Sequence, residues 1–473
     1  MLSFSHSYRS LSLFGVFALL LWLPSLWVPF WGDDYAFLTQ ARESRLNGLS
    51  WWYPFFNEST TGFWRPLSMD TGWRFVEQLL HGNLLSAHLY SWVLHLFSLA
   101  GVGFFAYQLA VSLRWPQPLV IALITAAMHA VHVVTYLPLH WVAAMNSPTL
   151  IFFISITLAM WMLLPRLDGL PRGLCLISLP LLQLLALFSK EVAILIPGMV
   201  VLLAILVGNF SRYKKIDIAV WWLCVGICLI WLYFYQQFTP SRDPVYGVVL
   251  GKNILINFLG FIAWIFNVPR EALRMMLTDK LILGALWAAF CFGSMALVYW
   301  ISLKRITASL SCWQWMSALA FMLVAYGPYF VLANQSYEYY AALAMMLPLA
   351  LVARGLLVAN KLNIGLSLMA LSSLVAVEGT RSVDYPGVIE RAYWGERQID
   401  FLTRQSIQPP LLVDVSNPHQ FAALGVAGLE WRLGLPKGSV ILTNRCDSNG
   451  VNISERILIQ NSQGDFEWHD CPR

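Results

Sequence analysis

The chain has 473 residues, of which 58% are hydrophobic, 14% aromatic and only 12% charged, well below the charge content of an ordinary soluble domain. A water-soluble globule, a disordered chain, a collagen-like fibre and a small disulfide scaffold are excluded, because each needs a composition that is lacking here. The net charge of +5 in so apolar a chain marks loops at one membrane face, and nucleic acid is not an expected partner.

Residues 11–30 form the first apolar segment, with Arg9 before it and the turn Trp31-Gly32-Asp33-Asp34 after it. It is long and lacks a small-residue cleavage pattern, so it reads as a retained transmembrane helix and not as a signal peptide. Further runs of spanning length fall at 88–112, 118–137, 147–165, 173–189, 192–210, 217–237, 281–303, 313–332, 341–360 and 362–378. With the first, they predict about eleven transmembrane helices.

The run 254–268 is shorter and is flanked by Lys252, Arg270 and Arg274, which suggests a re-entrant or interfacial helix. If it does not cross, then Arg114, Arg166 with Arg172, Arg212 with Lys214 and Lys215, Lys304 with Arg305, and Arg354 with Lys361 all fall on one side. The positive-inside rule makes that side cytoplasmic. The N terminus is then inside, and loops 31–87 and 238–280 and the tail after about 380 are outside. The expected organisation is a membrane domain, 1–380, followed by a small extracytoplasmic α/β domain, 381–473, with strand-like runs at 411–413, 439–442 and 457–459. In that domain Cys446 and Cys471 either form a bridge or remain two thiols. The first outer loop, rich in Trp and Phe at 51–64, is expected to be ordered, with amphipathic helices at headgroup level.

Several polar groups stand out against this background. Asp33 and Asp34 sit at the outer mouth of the first helix, where neighbouring like charges raise one pKa and suit a general base; a solvated acidic turn is the plain alternative. Arg65, in Phe63-Trp64-Arg65-Pro66, can grip a phosphate with its guanidinium fork or anchor at a headgroup. Lys190, in Ser189-Lys190-Glu191, is a cation at the same face as the two aspartates; it either stabilises charge on a leaving phosphate or pairs locally with Glu191. Arg270 and Arg274 make the second outer loop basic and are weaker phosphate ligands.

His88 and His132 are read as contacts to substrate hydroxyls or between helices. Tyr337 and Glu338, in the turn 334–340, carry groups typical of sugar recognition, although belt tyrosines look alike. His81, His88 and His95 recur at intervals of seven, and His129, His132 and His140 cluster, yet none matches a close zinc pattern. No metal site is assigned, no cofactor is required by any motif, and a divalent cation stays an open option. The sequons at Asn57 and Asn452 carry little weight.

The order of these features resembles the GT-C superfamily of integral-membrane glycosyltransferases, and within it the protein O-mannosyltransferase and TMTC-like branch. The motifs are Asp33-Asp34 after the first span, Trp64-Arg65-Pro66-Leu67 in a long outer loop, His88 through His95, His129-x-x-His132 followed by Trp141 and Asn146, and Phe188-Ser189-Lys190-Glu191. The resemblance covers roughly residues 10–210. It implies a GT-C membrane fold, a polyprenyl-phosphate-linked sugar as donor, inversion at the anomeric carbon, and Asp33 as base with Asp34 orienting the acceptor or tuning Asp33. The tetratricopeptide array of TMTC-like enzymes has no counterpart here, so a glycan or lipid acceptor fits at least as well as a protein. The implied setting is a bacterial inner membrane with the site facing the periplasm. The rival reading is a transporter or flippase of lipid-linked sugars, which would show repeated halves and broken helices at the membrane centre.

Overall fold

The computed structural model describes residues 2–470 apart from 60–61, 209, 240–246, 307–309, 334–335, 385–386, 406, 415–417, 444–455 and 461–465. Cys446, Cys471 and Asn452 lie outside the described residues.

All eleven apolar runs are helical. Eight helices are long and apolar enough to cross a bilayer: Arg9–Trp27, Leu84–Ser112, Val142–Arg166, Gly169–Ser189, Lys215–Phe238, Leu281–Ile306, Glu338–Val358 and Leu362–Arg381. A ninth, Pro118–Val131 with Val133–His140, is bent by 64°. The remaining two expected spans fall short. Residues 192–210 supply a helix that ends at Val207, and Cys312–Phe330 carries two Trp, a Gln and a Pro that dilute its apolarity. The 254–268 run forms the short helix Lys252–Ile265.

The 64° bend has a local cause. His132 is extended (φ −67°, ψ 145°) and its Nδ1 accepts the Val134 amide at 3.4 Å, capping the new helical turn. Asn267 completes the joint: its side-chain oxygen accepts the Val133 amide at 2.7 Å, and its nitrogen donates to Ser372 and Ser373. Buried backbone groups freed at a break must find such partners.

The five basic clusters gather at one end of the bundle. Arg114, Arg212, Leu310 and Gln314 line one small cavity there. Arg166 bonds Gln108, Lys214 pairs with Asp168 at 2.8 Å, and Arg172 pairs with the buried Asp217. Gly355, beside Arg354, meets the helix carrying Lys304 and Arg305 so closely that a Cβ there would clash with the Ser302 carbonyl. Ser10 reaches Asn363 at 2.7 Å. Asp33, Arg65 and Lys190 stand at the opposite end.

The C-terminal segment folds into a four-stranded sheet of order β2-β1-β3-β4, with β1 Leu411–Asp414, β2 Val440–Thr443, β3 Arg456–Gln460 and β4 Phe466–Asp470. β1 runs parallel to both β2 and β3, and β4 closes the edge antiparallel to β3. Leu411, Val413 and Leu424 share a hydrophobic core with Tyr35, Leu38, Trp73 and Val76 of the first outer loop. The described residues of that loop are folded onto the rest of the protein, but Trp64 is no headgroup anchor. It is buried among Phe188, Trp231 and Phe238, and its indole N–H donates to the Pro54 carbonyl.

The Arg172–Asp217 pair is sealed at the basic end, where Asp217 also accepts the Lys214 amide. Substituting Arg172→Met strands a buried carboxylate and should cost about 3–5 kcal/mol. Thermal unfolding in detergent reads this as a lowered midpoint, and an unchanged midpoint would mean that the pair is dispensable.

Candidate functional site

At the end opposite the basic clusters lies a cavity of about 330 Å³, whose lining includes Asp33, Arg65, Asn146, Lys190, Glu191 and Tyr329. Residues separated by more than 300 positions meet here, from the first outer loop to the tyrosines before Ala341.

Asp33 opens the helix Asp33–Leu46 and is exposed to the cavity. Gly32, with φ 56°, turns the chain into that helix in a conformation that suits glycine. Its neighbour Asp34 does something different. The Asp34 side chain is buried, and its two oxygens accept the amides of Trp31 at 3.1 Å and Ala143 at 2.7 Å. Burial raises its pKa well above the usual carboxylate range against the pull of those two amides. Asp34 does not line the cavity and ties the outer loop to residues 142–145; of its two expected parts, it is not placed to orient an acceptor there, while it stays electrostatically coupled to Asp33. Adjacent residues on a helix point about 100° apart, which is why the pair divides.

Lys190 is 3% exposed and stands between two apolar helices. Its ammonium lies 5.7, 5.1 and 4.9 Å from the ring centres of Tyr329, Tyr339 and Tyr340, and 3.4 Å from the Ser147 hydroxyl. Tyr329 and Tyr340 stack nearly parallel at 4.0 Å. Among the described residues no carboxylate lies within 4 Å of this cation. The expected local pair with Glu191 is absent because Glu191 faces Arg65, whose Nε and Nη2 donate to it at 2.8 and 2.6 Å. The fork of Arg65 that would grip a phosphate is therefore engaged by a carboxylate. Burial first, then the nearby guanidinium of Arg65, bring the Lys190 amine down to about 7.

The other expected contacts lie elsewhere. Arg270 packs on the Tyr337 ring at 4.2 Å, and Arg274 pairs with Glu271 at 3.0 Å; neither arginine lines the cavity. Glu338 is buried, and among the described residues its Oε2 has no hydrogen-bond partner. His88 is buried, stacks on Phe30 and bonds the Val28 carbonyl through Nε2 at 2.9 Å. A carbonyl only accepts, so that nitrogen carries the proton. His88 and His132 thus brace backbone, and neither lines this cavity. Among the described residues no three His, Cys, Asp or Glu side chains converge on a metal position.

Tyr329 was not legible as a site residue, since an aromatic near the end of an apolar run looks like a belt anchor. The apolar flank of the cavity, with Trp231, Leu232 and Tyr235, comes from the helix Lys215–Phe238, whose other face is exposed to the surroundings.

No family profile and no curated protein sequence matches the chain. Solved structures do. ArnT from Cupriavidus metallidurans bound to undecaprenyl phosphate superposes with a TM-score of 0.53 at 14% identity, over 92% of this chain and 86% of that one. Its apo state gives 0.52 at 16% over the same shares. AglB from Archaeoglobus fulgidus, an oligosaccharyltransferase in complex with an inhibitory peptide and a dolichol-phosphate, gives 0.49 at 12% identity over 88% of this chain and 63% of that one. The likeness to ArnT is one of fold and carries nothing about the protein O-mannosyltransferase and TMTC-like branch. The chain has the GT-C fold, an all-α polytopic membrane architecture with a small α/β segment at its C terminus.

Proposed function

We propose that the protein is a membrane glycosyltransferase that moves a sugar from a polyprenyl-phosphate donor to an acceptor hydroxyl, with inversion. The observation that carries this reading is that the Asp33 carboxylate and the tyrosine-caged Lys190 ammonium share one cavity. One fold neighbour is bound to undecaprenyl phosphate, which fits such a donor.

Asp33 takes the proton of the acceptor hydroxyl as its oxygen attacks the anomeric carbon. The bond from that carbon to the phosphate oxygen breaks, and polyprenyl phosphate leaves with one more negative charge than the donor carried. A cation at that oxygen stabilises the transition state more than the ground state, which is the condition for raising kcat. Lys190 is the group for this role, held ready by rings that favour its charge without neutralising it. Arg65 backs it through Glu191, and Trp231, Leu232 and Tyr235 offer the apolar flank a prenyl chain needs. The acceptor is a glycan, lipid or protein hydroxyl. The bundle end remote from the basic clusters is then extracytoplasmic, the periplasmic side in a bacterial inner membrane. The transporter alternative is not favoured, because the cavity's charged groups collect at one end of the bundle.

The test is transfer of label from radiolabelled undecaprenyl-phosphate sugars to membranes of the source cell. Asp33→Asn should lose about 10²–10⁴-fold in rate while retaining affinity for undecaprenyl phosphate; full activity in this variant would refute the reading.

The pH dependence has a definite sign. The empty site binds an anion best with Lys190 protonated, so affinity for undecaprenyl phosphate is greatest below about pH 7 and falls as pH rises past the Lys190 value of about 7. The limiting slope is about tenfold per pH unit. Lys190→Arg keeps its charge throughout and should flatten that slope; a parallel decline in both proteins would rule out Lys190 as its source.

A further inference from the structure

The C-terminal segment touches the element that carries Asp33 at two independent places. The first is backbone. Gly425 has φ 64° and ψ −176°, a conformation open essentially to glycine alone, and it interrupts the helix Pro418–Leu433. Two residues earlier, the Ala423 carbonyl accepts the Gly32 amide at 2.8 Å. Gly32 is the residue immediately before Asp33, in its own left-handed turn.

The second link is through side chains. Tyr35, two residues after Asp33, is 1% exposed and accepts a hydrogen bond from Arg432 Nη1 at 3.0 Å. Arg432 is fixed in turn by a two-pronged pair with Glu396 from the helix Glu390–Thr403. Gly428 packs so close to the Tyr35 ring that a Cβ there would stand 2.8 Å from it. Further along the same helix, the Arg42 guanidinium covers the Trp431 ring at 3.4 Å.

On the side of the membrane helices, Trp31 stacks on Trp141 at 4.9 Å and Asp34 ties the turn to Ala143; the C-terminal helix adds the ties through Ala423 and Arg432. We propose that the C-terminal segment is a positioning element, which fixes the Gly32–Asp33 turn so that the Asp33 carboxylate points into the cavity. The inference rests on the reading of Asp33 as the base and adds that residues far from the substrate, Gly425 and Arg432 foremost, set its geometry. Neither lines the cavity, so their effect has to travel through Gly32 and Tyr35.

The full-length protein in nanodiscs tests this as wild type, Gly425→Ala, Arg432→Gln and Asp33→Asn. For each, kcat for transfer from radiolabelled undecaprenyl-phosphate sugars is measured beside the Kd for undecaprenyl phosphate. Gly425→Ala should lower kcat about 10- to 100-fold, the effect of displacing a reacting group by about 1 Å. Arg432→Gln should lower it less, and in both Kd should stay within about twofold, because the phosphate site at Lys190 is untouched. A merely structural role would degrade Kd and kcat together, and that result overturns the inference. So does wild-type kcat in both variants alongside an inactive Asp33→Asn, which leaves the base itself standing. An active Asp33→Asn removes the functional reading, and the inference with it. If Gly425→Ala does not fold, Arg432→Gln, which leaves the backbone unaltered, decides between these results.

Discussion

The site depends on keeping an ammonium group away from water at the edge of an apolar bundle. Desolvating a charge is costly unless it is paired, and Lys190 has no carboxylate within 4 Å among the described residues. Three tyrosine rings and the Ser147 hydroxyl offset part of that cost. The carboxylate that could have neutralised it, Glu191, is turned to Arg65 by a bidentate pair. The balance leaves the amine poised near neutrality, with unspent attraction for an anion entering the cavity.

The aspartate pair obeys the same economy of partners. Two adjacent carboxylates at a helix start cannot both face one hollow, and here the backbone takes one of them. Asp34 is committed to the Trp31 and Ala143 amides and so ties the helix start that carries Asp33 to residues 142–145. The helix N-terminus favours negative charge at both positions. One carboxylate is structural, and the other remains turned to the cavity.

A second division runs along the bundle axis. Basic groups crowd one end, tied by Arg172–Asp217 and Lys214–Asp168, while at the other Arg65 and Lys190 stand among carboxylates and aromatic rings. The short helix 191–207 lends Glu191, Val192 and Ile194 to the cavity wall, while the chain breaks again at His132 with a 64° bend. The backbone broken there is satisfied by Asn267 and by capping groups, as an apolar interior demands.

Hydropathy alone was enough to locate every apolar helix, because a bilayer imposes a length and composition that each segment must meet by itself. The grouping of Arg114, Arg166, Arg212, Lys304 and Arg354 at one end was legible for the same reason: charge is tolerated only where helices stop. Strand runs at 411–413, 439–442 and 457–459 were visible, whereas β4, Phe466–Asp470, was not, since Glu467, His469 and Asp470 mask its pattern on an exposed edge. The sequence also singled out Asp33, Arg65 and Lys190 as polar groups out of place in an apolar setting. Residue type alone did not separate Asp33 from Asp34, which only the family resemblance did, nor could it foresee that Arg65 would be occupied by Glu191 or find Tyr329 among the belt aromatics. Those distinctions depend on which side chains meet across gaps of more than a hundred residues, and long-range packing, unlike hydropathy, is not a property of any one segment.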